Sequence, residues 1–321
     1  MHAVHGHTPA RVLAPQQRQN AATMEHLPTP AETSRTLRRP DGQTIRFRVM
    51  PASGPTRGHP VVLLHGLASN LTRWSEFVEH SALRERHDLI RIDLRGHGGS
   101  DVGGPIGMEV WADDLAALLD QEGHAQAILV GHSLGAQLAL HFARRHAHRA
   151  RALVLIDPVF REALTGRRRL LPLGAPVLRG LALLVRALNA LGLRRRRLKP
   201  LDLRELDEQA RRALQSADAE AAFVRRYSSA RADLRSTRSV TYLSALAEMF
   251  RASPDPATLA MPVLALLSGG ATFADPALMR RRLARAPNLT LATIECQHWP
   301  LTERPVEVRS VIERWVNGLA H

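Results

Sequence analysis

The chain is poor in cysteine, lysine, aromatic residues and long apolar runs. Its one cysteine, Cys296, excludes an internal disulfide framework and any multi-cysteine metal site, so nothing argues for an oxidising compartment. No uninterrupted apolar run reaches the roughly 18 residues that a bilayer span needs. The first 35 residues, rich in His, Gln, Pro and Thr, lack the apolar block of a secretory signal. A cytoplasmic location is the expectation. Of the 44 basic residues only Lys199 is lysine, a skew expected from a GC-rich coding sequence as readily as from selection for phosphate contacts. Aromatics make up 4% of the chain, yet 45% of its 321 residues are hydrophobic, enough for one large globular domain or a domain with an insertion.

Acidic residues are scarce in one place above all. Residues 161 to 199 hold eleven basic residues against a single acid, Glu162, and account for most of the chain's net charge of +14. A charge concentrated this way argues against a nucleic-acid partner and leaves open a weak contact with an anionic membrane through that basic stretch. Residues 1 to 33 read as a polar, disordered tail in which Met24 could be the true start. His2, His5 and His7 cluster there, but a frayed tail is a poor place to fix metal geometry.

What is present is a rhythm. After the turn and alternation of RRPDGQTIRFRV, which reads as a hairpin with one buried face, short apolar runs recur: VVLL (61 to 64), LIRI (89 to 92), AILV (127 to 130), LVLI (153 to 156), VLALL (263 to 267) and LTLATI (289 to 294). Such runs suit strands buried on both faces, and the helical patterns between them imply a parallel sheet flanked by helices. About 105 residues separate LVLI from VLALL, far more than a crossover needs. Residues 158 to 255 therefore read as an inserted, mostly helical cap, between core segments 34–157 and 256–321. Within the cap, Val177, Leu178, Leu181, Leu184, Val185, Leu188 and Leu191 recur at helical spacing, the pattern of a helix packed on a core with Arg179 and Arg186 facing solvent.

The pentapeptide GHSLG, residues 131 to 135, carries the chemistry. It lies between the buried run AILV and the amphipathic stretch LGAQLALHFARRH. A serine at a sharp strand-to-helix turn adopts strained backbone angles, and Gly131 and Gly135 let strand and helix approach closely. The turn also sets the Leu134 N–H at a helix N-terminus, where a developing oxyanion would be stabilised. A serine hydroxyl is a weak nucleophile at neutral pH and needs a base within reach.

With LLHGLASN (63 to 70), DLRGHGGSD (93 to 101) and ECQHWPLTERP (295 to 305) in the same order, the sequence resembles the α/β-hydrolase fold family over roughly residues 35 to 319. The resemblance implies a mostly parallel twisted sheet flanked by helices with a helical cap. It implies a second oxyanion N–H at Leu67, a bracing role for Asp93, Arg95 and His97, and His298 as the base. The family's commonest acid position holds Thr272 here. Two other carboxylates are open: Asp157, in the loop after the strand that follows the nucleophile's helix, and Asp275, three residues beyond Thr272, which also reads as a helix N-cap. Trp74 and Trp299 neighbour the site segments and either line a pocket or pack.

The expected activity is serine hydrolysis of an ester or related acyl bond in a small, largely apolar molecule, through Ser133, His298 and Asp157 or Asp275, with no cofactor and no metal. The leucine-rich cap would set substrate choice. Carbon–carbon, thioester or lactone cleavage on the same scaffold and a non-catalytic binding module are the rival expectations. Epoxide hydrolases and dehalogenases of this fold carry aspartate where this chain has Ser133. Oligomeric state is not readable from the sequence.

Overall fold

A computed structural model describes residues 31 to 319 except 56, 194–197, 215, 216 and 271. His2, His5, His7, Met24 and the arginines 194–197 lie outside the described residues.

The described residues form an eight-stranded sheet in the order β1-β2-β4-β3-β5-β6-β7-β8. The strands are β1 (Thr33–Arg38), β2 (Thr44–Met50), β3 (Val61–Leu64), β4 (Leu89–Ile92), β5 (Ala127–His132), β6 (Ala150–Ile156), β7 (Val263–Ser268) and β8 (Leu289–Ile294). β1 and β2 form the antiparallel hairpin, β2 pairs antiparallel with β4, and the strands from β4 to β8 are parallel. Glu32 and Thr33, expected to lie before the core, belong to it: β1 begins at Thr33, and Glu32 pairs with the Arg91 guanidinium on β4, Nε to Oε1 at 2.6 Å.

The helices are α1 (Ser75–His80), α2 (Met108–Gln121), α3 (Leu134–Arg145), α4 (Ala175–Ala190), α5 (Leu203–Ala213), α6 (Ala217–Tyr227), α7 (Ala230–Ser236), α8 (Ser239–Met249), α9 (Pro276–Leu283), α10 (Pro300–Glu303) and α11 (Pro305–Asn317). Period-two alternation in strands sends neighbouring side chains to opposite faces. Val62 and Leu64 of β3 thus join one core with Trp111, Leu115 and Phe142 of α2 and α3. Val61 and Leu63 join the other, with Phe77 of α1 and Val308 and Ile312 of α11. Both faces of the central strands are covered, which is why β3, β5 and β7 are buried along their whole length, whereas β2, in the outer hairpin, alternates.

α4 to α8 occupy the long interval between β6 and β7. α4 departs from the sequence expectation. Only Ala175 and Ala182 are buried and Leu178 and Val185 partly so, while Val177, Leu181, Leu183, Leu184 and Leu188 are exposed. By length and composition, the stretch Arg168–Ala190 is apolar enough to cross a membrane, although Arg179 and Arg186 interrupt its apolar run.

Candidate active site

Ser133 sits between β5 and α3 with φ 54° and ψ −114°, a left-handed region that costs energy for any residue with a β-carbon. The surroundings hold it there. The Ser133 N–H donates to the Ile156 carbonyl at 2.8 Å, and its own carbonyl accepts from Ala136 and Gln137 at 3.0 and 3.1 Å. A β-carbon on Gly131 would run into the Gly135 carbonyl, and one on Gly135 into the Leu64 carbonyl, so no larger residue fits either position.

His298 comes from the loop after β8. Its Nε2 lies 3.1 Å from Ser133 Oγ. Its Nδ1 faces Asp157 Oδ2 at 3.4 Å, a loose contact of the kind that tightens as positive charge develops on the ring. This geometry corresponds to a ring with the proton on Nδ1 and a free lone pair on Nε2 aimed at the serine. Glu303, four residues beyond Trp299, braces the loop by accepting from the backbone N–H of Gln297 at 3.0 Å and of Trp299 at 3.3 Å. His132 Nε2 donates to the His298 carbonyl at 2.8 Å. Burial, and then the neighbouring His298, push His132 down to about 3, so it is a neutral donor throughout the neutral range.

Asp157 is the carboxylate that the fold delivers to His298. It leaves β6 at φ 43°, with its N–H bonded to the Leu266 carbonyl of β7 at 3.0 Å. Its Oδ2 accepts from the Ser268 hydroxyl at 2.5 Å and its Oδ1 from the Ser268 amide at 2.8 Å. Burial alone would raise this carboxyl, but the His298 ring and the two Ser268 donors outweigh it and hold Asp157 below its ordinary value. Asp275 caps α9 instead, accepting from the Ala277 and Leu278 N–H groups at 2.8 and 3.3 Å. Thr272, in the commonest acid position, donates its hydroxyl to Gln297 Oε1 at 2.6 Å.

The remaining candidates fall into place around this centre. Leu134 opens α3, so its N–H has no carbonyl one turn back. Leu67 follows Gly66, at which a β-carbon would lie 3.5 Å from that of Ser133. Asp93 accepts from the Leu71 and Gly99 N–H groups at 2.8 and 2.7 Å, and Arg95 pairs with Asp114. His97 stacks edge-on against His65, whose Nε2 accepts from Leu94 N–H at 3.1 Å. These residues tie the HG loop to its neighbour and do not reach the serine. Trp74 is fully buried against Phe77 and packs. Trp299 meets His298, Phe223, Tyr227 and Phe273 in one aromatic cluster. Burial pushes the Cys296 thiol well above its usual range, away from nucleophilic use. Glu295, only three residues before His298, lies one residue beyond β8 and is exposed. Among the described residues no cluster of three or more His, Cys, Asp or Glu is placed to hold a metal ion.

Several residues of the site are silent in the sequence. Ser268, the double donor to Asp157, ends β7 and carries no motif. Phe273 lies edge-on to His298 at 4.8 Å. Gln137 of α3 donates to the Val159 carbonyl at 2.5 Å and fixes the loop after Asp157. Arg73 is buried between Asp207 of α5, at 2.5 Å, and Thr302 of α10, at 2.6 Å, while Tyr227 donates to Asp207 at 2.9 Å. That network joins the region between β6 and β7 to the segment carrying His298. The pairing is legible only once chain segments more than 130 residues apart are brought together.

Ser133 and His298 are only 7% and 8% exposed, and the cavity beside Asp157 and His298 is about 20 Å³, the room of a single water. The leucines of α4 are not among the residues that line this cavity.

The model of the alpha/beta hydrolase fold family matches residues 59–305. Lipase LipV of Mycobacterium tuberculosis is 35% identical over 116 residues, 36% of this chain and 41% of the lipase. The 2-hydroxy-6-oxo-2,4-heptadienoate hydrolase of Pseudomonas putida is 38% identical over 105 residues, 32% of this chain and 38% of that enzyme. The matched stretches thus span less than half of these curated relatives. An esterase from Thermogutta terrifontis shares the fold with a TM-score of 0.64 at 24% identity, covering 89% of this chain and 98% of the esterase.

Proposed function

The chain belongs to the alpha/beta hydrolase fold family, and from that premise we propose that it is a serine hydrolase acting on an ester or related acyl bond of a small, largely apolar substrate. The observation that carries the reading is the 3.1 Å approach of His298 Nε2 to Ser133 Oγ, with Asp157 behind the ring.

His298 Nε2 accepts the Ser133 proton as Oγ attacks the acyl carbonyl carbon. The carbonyl π pair moves to oxygen, and the Leu67 and Leu134 N–H groups are the donors available to that oxyanion. Asp157, held ionised by Ser268, stabilises the imidazolium and fixes its tautomer. Collapse breaks the bond to the leaving alcohol, which takes the proton from Nε2. Water, deprotonated by the same nitrogen, then attacks the acyl-serine and releases the acid. The aromatic cluster of Phe223, Tyr227, Phe273 and Trp299 packed beside His298 supports an apolar acyl or alcohol group.

The test is covalent labelling by a fluorophosphonate, expected on Ser133 and lost in Ser133→Ala. Turnover is then compared across p-nitrophenyl esters, a thioester, a lactone and a hydroxy-oxo-dienoate. Absence of labelling together with absence of turnover on the whole panel would leave the fold as a binding module. Preference for the dienoate would move the reading to carbon–carbon cleavage.

A further inference from the structure

α4 and the segment before it present an apolar surface that nothing in the described residues covers. Ten of the twelve exposed large hydrophobic residues lie between 170 and 193, among them Val177 at 64%, Leu184 at 55% and Leu191 at 78% exposure. A helix in a soluble domain normally turns such a stripe inward. Here Ala175 and Ala182, with the partly buried Leu178 and Val185, take the inward positions, while Val177, Leu181, Leu183, Leu184 and Leu188 point out. Contiguous patches of this kind mark interaction sites.

The charge of the sequence segment that carries the patch says what would cover it. Residues 161 to 199 carry eleven basic residues and one acid. Arg168 and Arg169 stand exposed immediately before Leu170. A second copy of the chain would bring this basic surface against itself in a two-fold contact, because such an interface pairs the same patch with itself. The first 30 residues carry one acid, Glu25, and no apolar periodicity, and so complement neither the charge nor the leucines. An anionic lipid surface complements both: its headgroups pair with arginine, and its acyl boundary takes the leucines.

The geometry favours lying on the membrane over crossing it. α4 has 16 residues, about 24 Å of helix, against a hydrocarbon core of about 30 Å. The preceding Gly166–Gly174 segment is a 3-10 helix containing Pro172 and does not extend it as an α-helix. Along its inner side α4 stays attached to α8, with Arg179 3.6 Å from Glu248.

We propose that the face bearing Leu170, Leu173, Val177, Leu181, Leu184 and Leu188 docks the protein onto an anionic lipid surface. The face adjoins the site: the Arg168 guanidinium lies 5.3 Å over the Phe273 ring, and Phe273 abuts His298. Docking therefore sets the rim of the Ser133 centre next to the lipid. It requires no chemistry at Ser133.

The test is co-sedimentation of the full chain with vesicles of phosphatidylcholine alone and of phosphatidylcholine with about one third phosphatidylglycerol, at low and at about 0.5 M salt. Binding is expected on the anionic vesicles, weaker on the neutral ones and weakened by salt. L181S/L184S should lower the partition constant at least about tenfold, with an unchanged melting temperature because both side chains are exposed. Ser133→Ala should bind like wild type, so a failure of the catalytic reading leaves this result untouched. Absence of binding at low salt overturns the proposal, as does binding that L181S/L184S leaves unchanged. Self-association in analytical ultracentrifugation that L181S/L184S abolishes, without vesicle binding, would replace the lipid with a second copy.

Discussion

Asp157→Asn is the substitution that separates the two carboxylates open to the sequence. In the native site the Asp157 carboxylate lies 3.4 Å from His298 Nδ1, nearly out of solvent. At an effective dielectric near 20, an anion at that distance stabilises an imidazolium by about 5 kcal/mol. Asparagine removes that charge. It can keep its carbonyl on the Ser268 amide, which turns its NH2 group toward Nδ1. The ring must then accept at Nδ1 and carry its proton on Nε2, the tautomer that cannot take the serine proton. The loss in kcat is expected to be about 10³- to 10⁴-fold. Asp275→Asn keeps a good N-cap on α9 and should leave kcat within about threefold. The assay is steady-state hydrolysis of whichever p-nitrophenyl ester the wild type cleaves, with melting temperatures to confirm that both variants fold. A folded Asp157→Asn enzyme within tenfold of wild type, or an Asp275→Asn loss of comparable size, would refute this assignment.

Other outcomes follow from the same structure. Burial lowers His65 and His141 to about 4 and His97 to about 3, below the unfolded value of 6.5, so their contribution to stability is complete above pH 6.5 and is lost as pH falls toward those values. Urea midpoints should therefore drop between pH 7 and pH 4, and His97→Phe should flatten the slope by up to about 1.4 kcal/mol per pH unit. Arg73→Met leaves Asp207 buried without its cation and should cost about 3 kcal/mol, read as a lower melting temperature that Arg73→Met with Asp207→Leu partly restores. Gly135→Val drives a side chain into the Leu64 carbonyl and should prevent soluble expression. Cys296→Ser should leave kcat/KM within about twofold, because the half-buried thiol stays protonated; a large loss would place sulfur in the chemistry.

The sequence by itself determined the alternation of buried strands and helices, and with it the parallel sheet, because a strand covered on both faces must be apolar throughout. It also located Ser133, since an elbow is a local device: five consecutive residues supply both the strained turn and the two glycines that permit it. His298 was legible from its place after the last strand and from the ERP that follows. The carboxylate beside it was not, because whether Asp157 or Asp275 lies next to His298 depends on which strand ends lie side by side. Only the pairing of β6 with β7 brings Ser268, 111 residues away, to fix Asp157 beneath the imidazole, while Asp275 stays on the cap of α9. The same holds for α4. Its periodicity announced an amphipathic helix, but periodicity does not say which face the rest of the chain covers, and only tertiary packing left the leucines outside.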